Sequence, residues 1–278
     1  RVGSRAKKST SGYDLVRLFV GSEGTLGIAT EITLRLVGLP EKVASAIVVF
    51  DRLADVTGTV YECIRYGLGP SAIEILDSAT VGATNQQQQL SLLEKPTLFV
   101  EFHGNESAIE EQVEYLRELC DENSPIDFQV ATTAEMREQL WMARSKARDS
   151  IKLSHPGCVV ISGDVCVPIS RFGEMVDFAH SLSERTGILI YAFGHAGDGN
   201  LHTETIVPQE ESSRGMCAAD QIVEHALELD GTVAGEHGIG LAKRKFMQRE
   251  HGVSLEVMQA IKKLFDPREI MNPGKIFH

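Results

Sequence analysis

The chain has 278 residues, 42% hydrophobic and 24% charged, enough for one large domain or two smaller ones with substantial cores. Its 39 acidic against 27 basic side chains give a formal charge of -12, which argues against nucleic acid as the main partner, because phosphate binding needs a cationic surface. An anionic substrate stays open, provided that an acidic protein keeps a local cationic pocket for it.

In chain order, the apolar stretch Leu15, Val16, Leu18, Phe19 and Val20 runs into Gly21-Ser22-Glu23-Gly24-Thr25-Leu26-Gly27. A strand is expected over Ile28 to Leu36, with Ile32, Leu34 and Leu36 on one face and Thr33 and Arg35 on the other. Gly38-Leu39-Pro40 breaks that pattern and suggests a domain boundary. Strands are then predicted at 45–50, 72–76, 97–102, 126–131, 159–167 and 189–195, with a further strand-like run at 201–207. Helices are predicted at 54–66, 106–122, 133–151, 169–185, 216–229 and 255–265. The polar run Gln86 to Gln89 reads as a helix surface or a loop. The spacing of these elements predicts an α+β fold: a largely antiparallel sheet covered by helices on one face.

The five cysteines are scattered without a C-x-x-C pair, as expected of buried or idle thiols in a reducing compartment. No apolar run approaches the length of a transmembrane segment. The chain opens Arg1-Val2-Gly3, with no initiator methionine and no targeting pattern, and is expected to be a piece of a longer protein.

Two segments carry chemistry. In Gly194-His195-Ala196-Gly197-Asp198-Gly199-Asn200-Leu201-His202, a strand enters, Asp198-Gly199 turns the chain, and a second strand leaves. Two histidines flanking such a turn can face one space and offer imidazole nitrogens to a divalent cation; they can equally be ordinary core or surface residues. In Gly235-Glu236-His237-Gly238-Ile239-Gly240, the glycines let the backbone approach a ligand, and a carboxylate and an imidazole lie side by side. Together the segments offer three ligands and an adjacent titratable group.

These two segments, with Gly21 to Ile28 and Met271-Asn272-Pro273-Gly274-Lys275, stand in the order found in the FAD-linked D-2-hydroxy-acid dehydrogenases, which the chain resembles over essentially its whole length. The run Asp164-Val165-Cys166-Val167-Pro168-Ile169-Ser170 is most similar to the D-lactate (cytochrome-type) branch, close to the glycolate oxidase flavin subunit. The resemblance implies a C-terminal, cap-type domain. Residues 1–40 would be the end of an FAD-binding domain, 41–254 the substrate-binding cap, and 255–278 a segment returning to the flavin side. It implies a divalent metal, zinc or manganese, on His195, His202 and Glu236, with His237 as the base. Arg144, otherwise a solvated helix residue, would hold the substrate carboxylate. Gly21, Ser22, Gly24, Gly27, Ile28 and Asn272 would contact FAD.

The reaction implied is oxidation of a D-2-hydroxy acid to the 2-oxo acid, with D-lactate favoured over glycolate or D-2-hydroxyglutarate. Electrons would pass to a quinone, a cytochrome or an electron-transfer flavoprotein. D-2-hydroxyglutarate dehydrogenase carries a lysine near the position of Ser162 and an asparagine near that of Glu204; neither is present here. Because most of the FAD-binding half lies outside this sequence, the chain alone is expected to bind FAD weakly or not at all and to be inactive. The expected location is cytoplasmic, peripheral to a membrane, or mitochondrial in a eukaryote. Two rival readings differ in class: a catalytically silent metal- or anion-binding module, and a metal-dependent hydrolase using the same three ligands.

Overall fold

The computed structural model describes residues 1–277. In chain order come α1 (Leu15–Phe19), β1 (Lys42–Val49), α2 (Leu53–Arg65), β2 (Ala72–Leu76), α3 (Ser78–Gln88), β3 (Thr97–Gly104) and α4 (Glu106–Asp121). Next are β4 (Asp127–Ala131), α5 (Ala134–Ser145), α6 (Ala147–Ser154), β5 (Cys158–Cys166), α7 (Phe172–Thr186), β6 (Leu189–His195) and β7 (Asn200–Pro208). Helices α8 (Ser212–Glu228), α9 (Met247–His251) and α10 (Ser254–Phe265) follow. Two units divide the chain: Gly38–Gly235, and a smaller one built from Arg1–Val37 with the residues from Glu236 onward.

The larger unit holds a seven-stranded sheet in the order β4-β1-β3-β2-β6-β7-β5, antiparallel at every pairing. Alternation along the strands separates its two faces. Ile47, Leu76, Phe99, Tyr191, Phe193 and Ile206 share one face and form a core with Val81 of α3, Ala143 of α5, and Ala147 and Ile151 of α6. Each fully buried Ile or Phe there contributes about 1.5–3 kcal/mol. Neighbours on the strands, such as Val48, Leu98, Val100 and Ile75, are buried on the other face. There α4, α7 and α8 pack against the strands and α2 packs beside α4 and α7, so that helices lie on both faces of the antiparallel sheet.

Local chemistry explains the ends of the elements. Asp77 closes β2 and caps α3, accepting from Thr80 N at 2.7 Å and, across the sheet, from Ala192 N at 2.7 Å. Its burial pushes the carboxyl above the usual range, and the hydrogen bonds from Thr80 and Ala192 oppose that shift. Asn105 and Thr133 cap α4 and α5 in the same way.

Three expectations change. Residues 28–36 form no strand: Ile32, Leu34 and Leu36 stay exposed and the segment is irregular. A strand needs a hydrogen-bonding partner and a face to bury against, and the sheet is built from residues 42–208 alone. The single helix expected over 133–151 is two, broken at Lys146. The break lets α6 lie along α3, where Gln87 and Gln88 donate to Ser154 and Ser150, each at 3.2 Å. The larger unit also closes at Gly235 rather than at 254. The following loop is instead tied to the N-terminal segment, with Ile239 N and Gly240 N donating to the Glu23 carboxylate at 2.7 and 2.9 Å.

Candidate functional site

In the larger unit the site forms where β2, β6, β7 and β5 lie side by side. Phe193 is directly opposite His202, so His195, two residues further along β6, shares the face of His202. The rings meet edge to face with centroids 5.2 Å apart, and each offers a ring nitrogen within 4.8 Å of one on the other. His202 is buried and His195 half-buried.

The turn between the histidines, a 3-10 segment over Ala196–Asp198, depends on Gly199. Its φ is +74°, and a Cβ there would lie 2.1 Å from the Val167 carbonyl oxygen, so both the conformation and the space demand glycine. Gly235 is constrained by contact alone: a Cβ would fall 1.6 Å from Asn200 Nδ2. The chain therefore leaves the larger unit packed against Asn200 and Asp164, and the next residue is Glu236.

Arg144, near the end of α5, lies over this part of the sheet. Its Nε donates to Glu74 Oε2 at 2.7 Å, with side-chain exposures of 14% and 8%, so the pair is largely shielded from water. The Arg144 Nη2 stands 3.4–3.5 Å from the His195 ring nitrogens, and the guanidinium carbon is 5.4 Å from the Phe193 ring centre. Glu74 Oε1 is 2.5 Å from His195 Nδ1. Four residues beyond Arg144, across the break at Lys146, Arg148 of α6 contacts Ser162 Oγ (3.0 Å) and Glu204 Oε1 (3.2 Å), and Ser162 donates to Glu204 Oε2 at 2.7 Å. Trp141 belongs to the frame: its indole N–H donates to Ser45 Oγ at 2.8 Å, and its ring packs at a tilt on Phe99.

The smaller unit gathers the residues expected to contact the cofactor. Ser22 O accepts from Thr25 N and Oγ1 at 2.9 and 2.7 Å, folding Gly21 to Gly27 into a tight loop. Gly27 lies against the Phe19 ring, and Ile28 is exposed. Asn272 Nδ2 donates to Glu23 O at 2.5 Å, beside Gly24. Lys262 of α10 reaches the carbonyls of Thr25 and Met271, each at 2.8 Å, and pairs with Asp266 at 2.5 Å. That ammonium, aided by the Met271 and Ile270 N–H groups, holds the Asp266 carboxyl below the usual range. Two segments almost 250 residues apart in sequence thus meet in one loop cluster. Glu236 and His237 are exposed in this unit, 3.5 Å apart between Oε1 and Nε2.

Glu74 and Arg148 were not singled out by the sequence. Glu74 had a signal, a lone carboxylate between Ile73 and Ile75 in an apolar strand. Its partners, far away in the chain, had none.

The larger unit is thus an α+β sheet domain that sets an arginine over two histidines on one sheet face. The chain belongs to the family of FAD linked oxidases, C-terminal domain, whose model matches residues 39–276. It is 40% identical to "Probable D-lactate dehydrogenase, mitochondrial" of Danio rerio, over 99% of this chain and 56% of that protein. It is 37% identical to a mitochondrial cytochrome-type D-lactate dehydrogenase of Arabidopsis thaliana (99% and 49%), and 35% identical to glycolate oxidase subunit GlcD of Bacillus subtilis (100% and 60%). The chain spans about half the length of the curated relatives it matches. Among solved structures, alkyldihydroxyacetonephosphate synthase aligns with a TM-score of 0.65 at 15% identity, over 96% of this chain and 50% of that one. A 4-ethylphenol oxidase from Gulosibacter chungangensis aligns at 0.66 and 14% (88% and 55%). At such identity these two show the fold alone.

Proposed function

We propose that this chain is the substrate-binding part of a flavin-dependent dehydrogenase that oxidises a short D-2-hydroxy acid, D-lactate first, to the 2-oxo acid. The observation that carries this reading is the convergence of Arg144, His195 and His202 on one patch of one sheet face. A 2-hydroxy acid presents a carboxylate and a neighbouring hydroxyl. A guanidinium beside two imidazoles matches that pair of groups.

The residues fit a metal: two adjacent imidazoles offer nitrogens to one point, with a carboxylate already on the far nitrogen of His195. They also fit the flavin's needs, in that Gly21, Ser22, Gly24, Gly27, Ile28 and Asn272 share one loop cluster with open backbone. Zinc or manganese on His195, His202 and Glu236 would supply Lewis acidity toward the substrate oxygens, and FAD would supply the hydride acceptor.

The protein does the rest. Arg144 binds the substrate carboxylate and so fixes the direction in which the Cα–H bond points. His237 takes the hydroxyl proton at a ring nitrogen as the Cα–H bond breaks. Arg148 does not offer a second free cation, because the Glu204 carboxylate sits against it. That pairing favours a monocarboxylate over a dicarboxylate such as D-2-hydroxyglutarate. Glycolate is the second reading, favoured by the identity to the Bacillus subtilis subunit.

The larger unit is the cap, and the smaller is the flavin-facing edge. Electrons leave to a quinone, a cytochrome or an electron-transfer flavoprotein. Among the described residues no helix is long and apolar enough to cross a membrane. The mitochondrial names of two relatives favour that organelle in a eukaryotic host.

The test is turnover of D-lactate, glycolate and D-2-hydroxyglutarate by the whole flavoprotein with an artificial electron acceptor. D-Lactate is expected to give the highest kcat/KM. A higher value for glycolate would move the substrate, and no turnover of any of the three would overturn the reading.

A further inference from the structure

Each of the two histidines has a carboxylate as its direct cross-strand neighbour: Glu74 of β2 faces His195, and Asp164 of β5 faces His202. The two carboxylates are used differently. Asp164 accepts from Asn200 Nδ2 at 2.8 Å and stands 3.8 Å from His202 Nδ1, beyond hydrogen-bond reach. Glu74 spends one oxygen on His195 Nδ1 at 2.5 Å and the other on Arg144 Nε at 2.7 Å. It does so from the middle of the strand Ala72-Ile73-Glu74-Ile75-Leu76, in a position 6% exposed. Placing a carboxylate there is costly unless both oxygens are matched.

We propose that Glu74 is a positioning residue that sets the His195 imidazole and the Arg144 guanidinium with one carboxylate. An acceptor at Nδ1 fixes the tautomer with the proton on that nitrogen, so Nε2 carries the lone pair that a divalent cation needs. The same carboxylate engages Arg144 through Nε and so orients the planar fork, whose terminal nitrogens form its carboxylate-binding edge. Hydroxyl-side and carboxylate-side recognition of a 2-hydroxy acid are thereby held in a fixed spacing by one residue that touches neither end of the substrate.

This inference rests on the reading that His195 and His202 hold a cation, and the experiment separates the two. The whole flavoprotein is stripped of metal with a chelator, and Zn2+ affinity is measured by competition with a chromophoric chelator. The proteins compared are wild type, His202→Ala, Glu74→Gln, Glu74→Asp, Arg144→Met and the double variant Glu74→Gln/Arg144→Met. His202→Ala should abolish specific binding. Glu74→Gln should weaken it about 10–100-fold and raise KM for D-lactate, while Glu74→Asp retains part of both.

A residue that merely neutralised Arg144 would lose its effect on Zn2+ once Arg144 is gone. The proposal instead requires the Glu74→Gln penalty to persist in the Arg144→Met background, which also keeps the test alive if the single Gln variant folds poorly. Loss of Zn2+ binding in His202→Ala, with wild-type affinity and KM in the Glu74 variants, overturns the role of Glu74 alone. Unchanged binding in His202→Ala overturns the metal reading beneath it.

Discussion

Arg148 Nε lies 3.2 Å from Oε1 of Glu204, a carboxylate 3% exposed on β7, while the arginine itself is 61% exposed. The buried partner is held by the sheet and by Ser162; the exposed partner is the arginine. Surface-facing pairs of this kind add little stability. The consequence is on charge: the cation nearest Ser162 is neutralised before any substrate arrives.

Removing that neutralisation should change substrate preference. In Glu204→Gln, the Arg148 guanidinium becomes available to a second carboxylate. The ratio of kcat/KM for D-2-hydroxyglutarate over D-lactate is expected to rise by about tenfold, the scale of one charge-assisted hydrogen bond. Steady-state kinetics on both substrates checks it, and an unchanged ratio would remove Arg148 from the specificity argument.

Arg144→Lys keeps the positive charge next to Glu74 and loses the planar fork. We expect kcat/KM for D-lactate to fall by about 10–100-fold, carried mostly by KM, with the melting temperature close to wild type. A large loss of melting temperature with unchanged KM would make Arg144 a structural counter-ion only.

The loop cluster of the smaller unit hangs on Lys262 and Asp266. The folded pKa of Asp266 is depressed, so its contribution is present above the unfolded value of 3.8 and is lost as pH falls through the lower folded value. Asp266→Asn should therefore be less stable than wild type at pH 7, and the two melting temperatures should converge below about pH 4. Equal stability at neutral pH would show that the Lys262 contacts with Thr25 O and Met271 O suffice by themselves.

Much of this was legible because the signals are local. The apolar runs at Ala72 to Leu76 and Leu189 to His195 are strands where alternation and flanking residues put them. The His195–His202 spacing around Gly199 reads correctly as two strands returning on one another. The Ile28 to Leu36 segment shows the limit: alternation tells which face a strand would offer, and not whether a partner strand exists. Nor does a sequence state cross-strand register. Glu74 and His195 are 121 positions apart, and only the β2–β6 pairing brings them together. The break at Lys146 lacks glycine or proline, so helical periodicity runs across it unmarked.

If Arg144, the histidine pair and His237 serve oxidation of a D-2-hydroxy acid by flavin, D-lactate must reduce the flavin of the whole flavoprotein in the absence of oxygen. The absorbance of the oxidised flavin band as D-lactate is added anaerobically reads this directly. Bleaching is expected in the wild type and none in His237→Ala or His202→Ala. Retention of the oxidised band in the wild type, with D-lactate, glycolate and D-2-hydroxyglutarate alike, would contradict that role.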